Sequence, residues 1–347
     1  MTKIGIFGAA GYGGSELIRM LLGHPEVEIV YLGGHTTAGE RLTDLYPNLI
    51  GRIDMTIAES TVPPLLERGA QVLCSALPHQ VGGDLVAQAL AAGLKVIDFS
   101  ADFRLKDAAV YEQYYQPHTH PELLAEAVYG LPELHREEIR SARLVAAPGC
   151  FPTGAILALA PAVKAGLIET QGLIVDSKTG VSGAGRTKLD LAYHFPELNE
   201  SLKAYNIGKH RHTPEMDQEL SLLAGAAVHV TFAPHLIPVT RGILTTAYGR
   251  LRAGVSAAQV QQAYEDFYAD EPFVWVMPPG QQPTTKQVNG SNYCHLAVVV
   301  AETTGQLVVT SVLDNLIKGL SGGVLQCLNL MIGCPETTAL DAPGLWP

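Results

Sequence analysis

Ile4-Gly5-Ile6-Phe7-Gly8-Ala9-Ala10-Gly11-Tyr12-Gly13-Gly14 is the stretch that decides the fold. A short β-prone run reaches Phe7 and breaks into glycines. Ser15 to Leu22 follows, with Leu17, Ile18, Leu21 and Leu22 on one helical face. Gly8, Gly11 and Gly14 have the GxxGxxG spacing, a variant of the dinucleotide fingerprint. One glycine permits the tight turn, a second lets backbone N–H groups approach a pyrophosphate at the helix N-terminus, and a third lets helix and strand pack closely. An ordinary glycine-rich turn has the same composition. Its place, straight after the first strand and opening a helix, points instead to a dinucleotide held by Gly8, Gly11, Tyr12, Gly13 and Gly14.

Outward from this turn, short β-branched runs alternate with helical stretches, the pattern of a parallel sheet covered by helices. Strands are expected at Val27–Leu32, Val72–Ala76, Val96–Phe99 and Leu144–Ala147, and a helix at Gly82–Ala92. The second strand ends Leu32-Gly33-Gly34-His35-Thr36-Thr37, with no carboxylate before Glu40. NAD enzymes often place an acid there for the ribose 2′-OH, whereas His35 and Thr36 can host a 2′-phosphate. NADPH/NADP+ is therefore the expected cofactor. After Cys150 the texture changes. A helix is expected at Thr153–Lys164 and strands at Leu173–Ser177, Val228–Phe232, Gly242–Arg250, Tyr293–Ala301 and Gln306–Val312. The last two are joined by Glu302-Thr303-Thr304-Gly305 as a hairpin. Leu313–Met331 reads as one long helix.

The chain has 347 residues, more than one average domain needs, and its net charge of −11 argues against nucleic acid or an anionic membrane as partner. No apolar run reaches the roughly 18–20 residues that cross a bilayer. The N-terminus goes straight into a strand without a signal-peptide core, so a cytoplasmic location is expected. Five cysteines, at 74, 150, 294, 327 and 334, include no CxxC pair, so neither a disulfide framework nor a metal site is expected.

One cysteine stands apart. Leu144-Val145-Ala146-Ala147-Pro148-Gly149-Cys150-Phe151-Pro152-Thr153 places Cys150 after a strand and at a helix start, where the helix dipole favours a thiolate. Tyr205-Asn206-Ile207-Gly208-Lys209-His210-Arg211-His212-Thr213-Pro214-Glu215 gathers titratable side chains before another helix, with Thr213 expected as its cap. An imidazole there can take the thiol proton and return one to a hemithioacetal oxygen. His212, next to the helix start, is the expected proton-transfer residue, with Glu215 within one turn to orient it. In an extended segment the His210 ring would share its side and contact a substrate anion or the oxyanion. His235 is the reserve candidate. Ser177 to Arg186 is a glycine-rich loop able to bind an anion, or else a flexible tip. Arg104, at the end of a strand of the first sheet, would face a phosphate or pair with Asp102.

At these residues the sequence resembles the N-acetyl-γ-glutamyl-phosphate reductase family within the wider aspartate-semialdehyde dehydrogenase group. The likeness runs from Lys3 to about Asn329. Its most specific motif is Val145 to Gly154, continuing to Pro161. Others are Ala76–His79, Ser100–Arg104, Ser182–Arg186, His210–Glu215, Pro234–Gly242 and Asp314–Gly319. The resemblance implies an α/β fold. A Rossmann-type domain (1–149 and 313–347) takes back the C-terminal helix, and an α+β substrate and oligomerisation domain (150–312) carries a mixed, partly antiparallel sheet. It also implies arginine biosynthesis and a homo-oligomer, a dimer or tetramer. Cys150 matches the nucleophile and His210 and His212 the histidine pair. Ser182, Gly183 and Asn315 would touch the cofactor, and Arg104, Arg186, Glu215 and Arg241 the substrate. The family often has Ser-Arg at Gly34-His35, and a Gly-Ala-small-Gly-Gln-Ala segment where this chain has Gly319-Leu320-Ser321-Gly322-Gly323-Val324.

The expected chemistry has two halves. The Cys150 thiolate displaces phosphate from an acyl phosphate, and hydride reduces the resulting thioester to an aldehyde. Rival readings are a sister enzyme acting on aspartyl or aminoadipyl phosphate, a nucleotide-binding regulator without turnover, and a cofactor-free cysteine hydrolase, against which the glycine turn argues.

Overall fold

Thr2–Phe7 forms strand β1, and Ile4 to Phe7 are all buried. A strand covered on both faces reads as a continuous apolar run, as this one does. The computed structural model describes residues 1–346 and divides into two compact units. The first comprises Met1–Pro148, Gly185–Thr187 and Leu320–Asp341. The second comprises Gly149–Ala184, Lys188–Gly319 and the tail from Ala342.

In the first unit, β1 is joined by β2 (Val27–Gly34), β3 (Ala58–Glu59), β4 (Val72–Ser75), β5 (Lys95–Asp98), β6 (Val128–Tyr129) and β7 (Leu144–Ala146). These strands form one parallel sheet in the order β3-β2-β1-β4-β5-β7-β6. The order reverses between β1 and β4, the switch point at which open α/β sheets bind ligands. Helix Tyr12–Leu21 follows β1 and buries Leu17, Ile18 and Leu21. Phe7, Tyr31, Leu65, Leu73, Val86 and Phe103 belong to one continuous core.

The second unit holds β8 (Leu173–Thr179), β9 (Lys203–Ala204), β10 (Val230–Leu236), β11 (Ile243–Arg250), β12 (Val274–Val276), β13 (Cys294–Ala301) and β14 (Gln306–Leu313). Their order is β12-β13-β14-β11-β8-β10-β9. The sheet is mixed: β8 and β10 are parallel, while β11, β13 and β14 pair antiparallel. The hairpin expected at 302–305 joins β13 to β14. One face packs under helix Cys150–Lys164, whose residues Phe151 to Val163 are all buried. Gly154 lets this helix come close: a Cβ there would lie 3.1 Å from Ser311 Oγ, which donates to the Gly154 carbonyl. Truncating Leu157 in this layer would cost about 2–5 kcal/mol.

Two expectations fail. Leu313–Met331 is not one helix. Strand β14 runs through Leu313, a π-turn covers Ile317–Ser321, and the α-helix begins at Gly322. Asp314 is the cause. Its carboxylate accepts the N–H groups of Leu316, Ile317 and Gly290, offering the backbone an alternative to helix. The apolar spacing fits both periods, so periodicity alone could not find the break. The helix expected from Thr153 starts three residues earlier, at Cys150 itself.

Candidate functional site

The glycine turn is built by steric exclusion. Gly8 has φ +74°, and a Cβ there would lie 2.3 Å from the Ala76 carbonyl oxygen. At Gly14 it would lie 2.4 Å from the Gly8 oxygen, and at Gly13 it would press on Leu320 and Phe99. Ser321 donates to the Gly13 carbonyl at 2.8 Å, so the returning C-terminal segment braces the turn, with Leu320 seated on Gly13. Gly11 caps helix Tyr12–Leu21, whose first turn contains no acid. The first-turn amides of Tyr12, Gly13 and Gly14 thus share their turn with no acidic side chain, and they suit a pyrophosphate. The turn fits a dinucleotide.

His35 and Thr36 are exposed just beyond β2. The sequence showed no acid before Glu40, yet Glu59 on β3 stands opposite Gly34 in the ladder. Its carboxylate lies 3.8 Å from His35 Nδ1, and both side chains are exposed. Thr37 is buried.

Cys150 is the first residue of a helix whose cap, Gly149, makes no side-chain bond and whose first turn holds no acid. It is partly exposed, unlike Cys74, whose thiol burial pushes up to about 12. Two close approaches frame it. The His212 imidazole lies against Gly149, where a Cβ would be 2.7 Å from Nε2. A Cβ at Gly319 would be 2.8 Å from the Cys150 Cβ. Gly149 N–H donates to the buried carboxylate of Glu215 at 2.9 Å.

The histidine segment is a turn, not an extended strand: Thr213 N–H donates to the His210 carbonyl and His212 N–H to His210 Nδ1 at 3.1 Å. The rings still meet, 4.8 Å apart and edge to face. His212, not Thr213, occupies the cap position, in helical geometry and without a side-chain cap bond. Phe151, Tyr205 and Phe232 pack around the buried His210. Burial, then the Arg211 charge, lowers its pKa to about 4. His210 is thus neutral near pH 7. Its Nδ1 accepts, so the proton sits on Nε2.

The remaining expected residues are placed as follows. The loop at 180–184 is no loose tip: Gly180, Val181 and Ser182 donate to Gly242, Val239 and Thr240 carbonyls. Asn315 donates to Ser182 Oγ and accepts from Gly242 N–H, with Gly183 alongside. Arg241 is 3.6 Å from the buried Asp314 and stays partly exposed. Arg104 is buried and donates to the carbonyls of Ala147 and Phe99, at 2.6 and 2.7 Å. Asp102 accepts from the Tyr111 hydroxyl and the Gln80 N–H. Arg186 donates to the Ala10 carbonyl of the glycine turn. His235 Nδ1 lies 3.0 Å from Asp176. Among the described residues no cluster of three or more His, Cys, Asp or Glu could hold a metal, and no helix is long and apolar enough to cross a membrane.

Sequence reasoning overlooked Tyr205, whose phenol pKa is raised by burial and by the charge at Cys150. Its signal was there, since it opens the same stretch as the histidines. Phe232 had none, because an apolar residue in an alternating strand looks like core. Gly149 and Gly319 matter through contacts distant in sequence.

Residues 3–142 match the family model of the semialdehyde dehydrogenase NAD binding domain, and residues 150–315 that of the semialdehyde dehydrogenase dimerisation domain. The chain is 51% identical over 348 residues to the N-acetyl-gamma-glutamyl-phosphate reductase of Moorella thermoacetica, covering all of both chains. It is 52% identical over 344 residues to that of Symbiobacterium thermophilum, covering 99% of this chain and 98% of the other. Among solved structures it resembles aspartate semialdehyde dehydrogenase II from Vibrio cholerae, with TM-score 0.71, 17% identity and coverage of 95% of this chain and 98% of that one. It also resembles the Candida albicans aspartate semialdehyde dehydrogenase with NADP, with TM-score 0.70, 18% identity and coverage of 96% and 98%. At such identity these two structures establish the fold.

Proposed function

Since the chain belongs to the N-acetyl-gamma-glutamyl-phosphate reductase family, we propose that it reduces N-acetyl-γ-glutamyl phosphate to the semialdehyde through a thioester on Cys150, a step of arginine biosynthesis. One observation carries this reading. A partly exposed cysteine opens a buried helix with an imidazole laid against the residue before it. The orphan amides of that helix end favour negative charge at Sγ. The thiolate attacks the acyl carbonyl, the C–O bond to phosphate breaks, and inorganic phosphate leaves with the electron pair. The Cys150 N–H steadies the oxyanion. NADPH, when bound, supplies the hydride that reduces the thioester. His212 takes the thiol proton at the start and protonates the thiohemiacetal oxygen; its removal on collapse releases aldehyde and thiolate. His210, neutral and held by its aromatic neighbours, orients His212 and offers Nε2–H to an oxygen.

Glu215 and Arg104 act by positioning. Glu215 fixes the Gly149 amide, and Arg104 fixes Ala147, three residues before the cysteine. Arg241 is the cation assigned to the substrate's anionic groups. Ser182, Gly183 and Asn315 form one bonded cluster and are assigned to the cofactor. The open face of the second sheet shows Ile174, Trp275 and Val299 to solvent, and a second copy in a homo-oligomer is proposed to cover it. The protein would work in the cytoplasm.

The test is phosphate- or arsenate-dependent reduction of NADP+ with N-acetylglutamate semialdehyde set beside aspartate semialdehyde. The first should win by at least about a hundredfold in kcat/KM, a floor below the roughly 10⁴-fold or more by which a site built to hydrogen-bond a substrate group rejects an analogue lacking it. Equal or better use of aspartate semialdehyde would replace the substrate. No activity with either would leave a nucleotide-binding regulator.

A further inference from the structure

Arg186 was expected at the substrate, but its bonding places it on the glycine turn. Its Nε donates to the Ala10 carbonyl at 2.6 Å, and Tyr46 donates to the same oxygen at 2.9 Å. The other end of that peptide, Gly11 N–H, donates to the Gly8 carbonyl at 3.0 Å. The Ala10–Gly11 peptide plane is therefore fixed at both ends, immediately before the helix that presents its free amides. A carbonyl dipole aimed at an incoming anion would repel it, and here a cation and a phenol cover it. From Gly8 to Ser15 the sequence carries no cation of its own. Arg186 is partly exposed, and among the described residues its two outer nitrogens have no hydrogen-bond partner. A guanidinium bonded through Nε keeps its two outer nitrogens in a fixed fork, the geometry that suits phosphate oxygens.

We propose that Arg186 is a cofactor residue: its Nε locks the glycine turn, and its outer nitrogens bind an oxygen of the cofactor's pyrophosphate. It deepens the cofactor assignment alone and does not depend on which acyl phosphate is the substrate. The pyrophosphate, not the 2′-phosphate, is the partner, because Ala10 belongs to the helix start and the 2′-phosphate region lies beyond β2 at His35 and Thr36.

Binding to the apo-protein decides it. NADPH (by fluorescence quenching), ADP (a pyrophosphate without 2′-phosphate) and 2′-AMP (a 2′-phosphate without pyrophosphate) are titrated into wild type, Arg186→Ala and Arg186→Lys. Arg186→Ala should weaken NADPH and ADP about ten- to a hundredfold, the effect of a lost charge-assisted hydrogen bond, and leave 2′-AMP within about twofold. Lysine keeps charge but not the fork, so Arg186→Lys should recover part of the loss, and it stands in should the alanine variant misfold. A loss confined to 2′-AMP overturns the proposal. So does unchanged NADPH and ADP binding, whatever happens to the KM of the acyl phosphate. Wild-type binding of NADPH with no turnover of either semialdehyde would instead sink the reaction reading and leave this one standing.

Discussion

The protein has two helix starts of the same construction. Tyr12–Leu21 and Cys150–Lys164 each follow a parallel strand, each is capped by a glycine without a side-chain bond, and neither has an acid in its first turn. Both offer orphan amides and a positive dipole end. They differ in what surrounds them. The first is emptied: glycines at 8, 11, 13 and 14 remove the Cβ atoms that would crowd the turn, and the Ala10 carbonyl is covered by Arg186 and Tyr46. The second is crowded: His212 lies on Gly149, Gly319 touches Cys150, and Phe151, Tyr205 and Phe232 pack around the adjoining His210. One physical resource thus serves two tasks. At an emptied helix start the favoured negative charge arrives with a ligand. At a crowded one, on the mechanism proposed above, it is carried by the Cys150 side chain, with imidazoles beside it to move the proton.

The largest expected effect separates the two starts outright. Cys150→Ser should lower kcat/KM at least about a thousandfold, because a serine hydroxyl is not ionised near neutral pH and its ester accepts hydride poorly. NADPH affinity, measured on the same preparation, should not change. Near-normal turnover would end the covalent mechanism.

Next comes the imidazole that crowds the second start. His212→Asn should reduce kcat by about a hundredfold or more and remove one limb of the pH–rate profile. His210→Asn should act mainly on KM. His210 is already neutral above about pH 4, so it cannot supply a limb nearer neutrality. The reverse pattern would exchange the roles. Losses below about threefold for both would move the acid/base elsewhere, with His235 next in line.

Crowding can be tested without touching a functional group. Gly319→Ala adds a methyl 2.8 Å from the Cys150 Cβ. Relieving that contact needs a shift of about 1 Å, which should cost about a hundredfold in kcat, with NADPH binding and the far-ultraviolet spectrum unchanged. Wild-type kcat would show that the contact is slack.

Beyond β2, in the same unit as the emptied start, NADPH should be preferred over NADH by roughly tenfold or more, the worth of one charge-assisted hydrogen bond to the 2′-phosphate. Glu59 beside His35 opposes this preference, and Glu59→Gln should sharpen it. Equal specificity constants for the two cofactors in wild type would show that the region Gly34 to Thr37 does not read the 2′-phosphate.

The smallest effect is on stability, and its sign differs between the units. His210 falls from 6.5 to about 4 on folding, by burial and then by Arg211. Between those values the unfolded chain holds the extra proton, so its contribution is lost as pH falls through that window. Asp98, at the end of β5, rises from 3.8 to about 7, chiefly through burial. There the folded chain holds the proton, so stability declines as pH rises from about 4 to 7. Tm measured against pH should show a weaker acid-side decline in His210→Asn and a weaker neutral-side decline in Asp98→Asn. Parallel curves for wild type and both variants would deny the two groups any part in folding linkage.

By itself the sequence determined what is local. The run Ile4–Phe7, its glycines and the following helix are contiguous, and their spacing states the strand, the turn and the anion-ready helix end. Cys150 stood out for the same reason, as did the hairpin between β13 and β14. The resemblance of the motifs carried the reaction. Tertiary structure decided what depends on residues far apart in the chain. Asp314 broke an apparently continuous helix by bonding Gly290. Glu59 reached the rim of β2 through a ladder pair no pattern announced. Arg104 and Glu215, chosen from sequence as substrate contacts, bond Ala147 and Gly149, partners that no sequence pattern announced. Arg186 went to Ala10, 176 positions away. A charged side chain's type says that it will find a partner of suitable chemistry. Which partner depends on which backbone the fold brings within about 3 Å, and a lone sequence does not contain that distance.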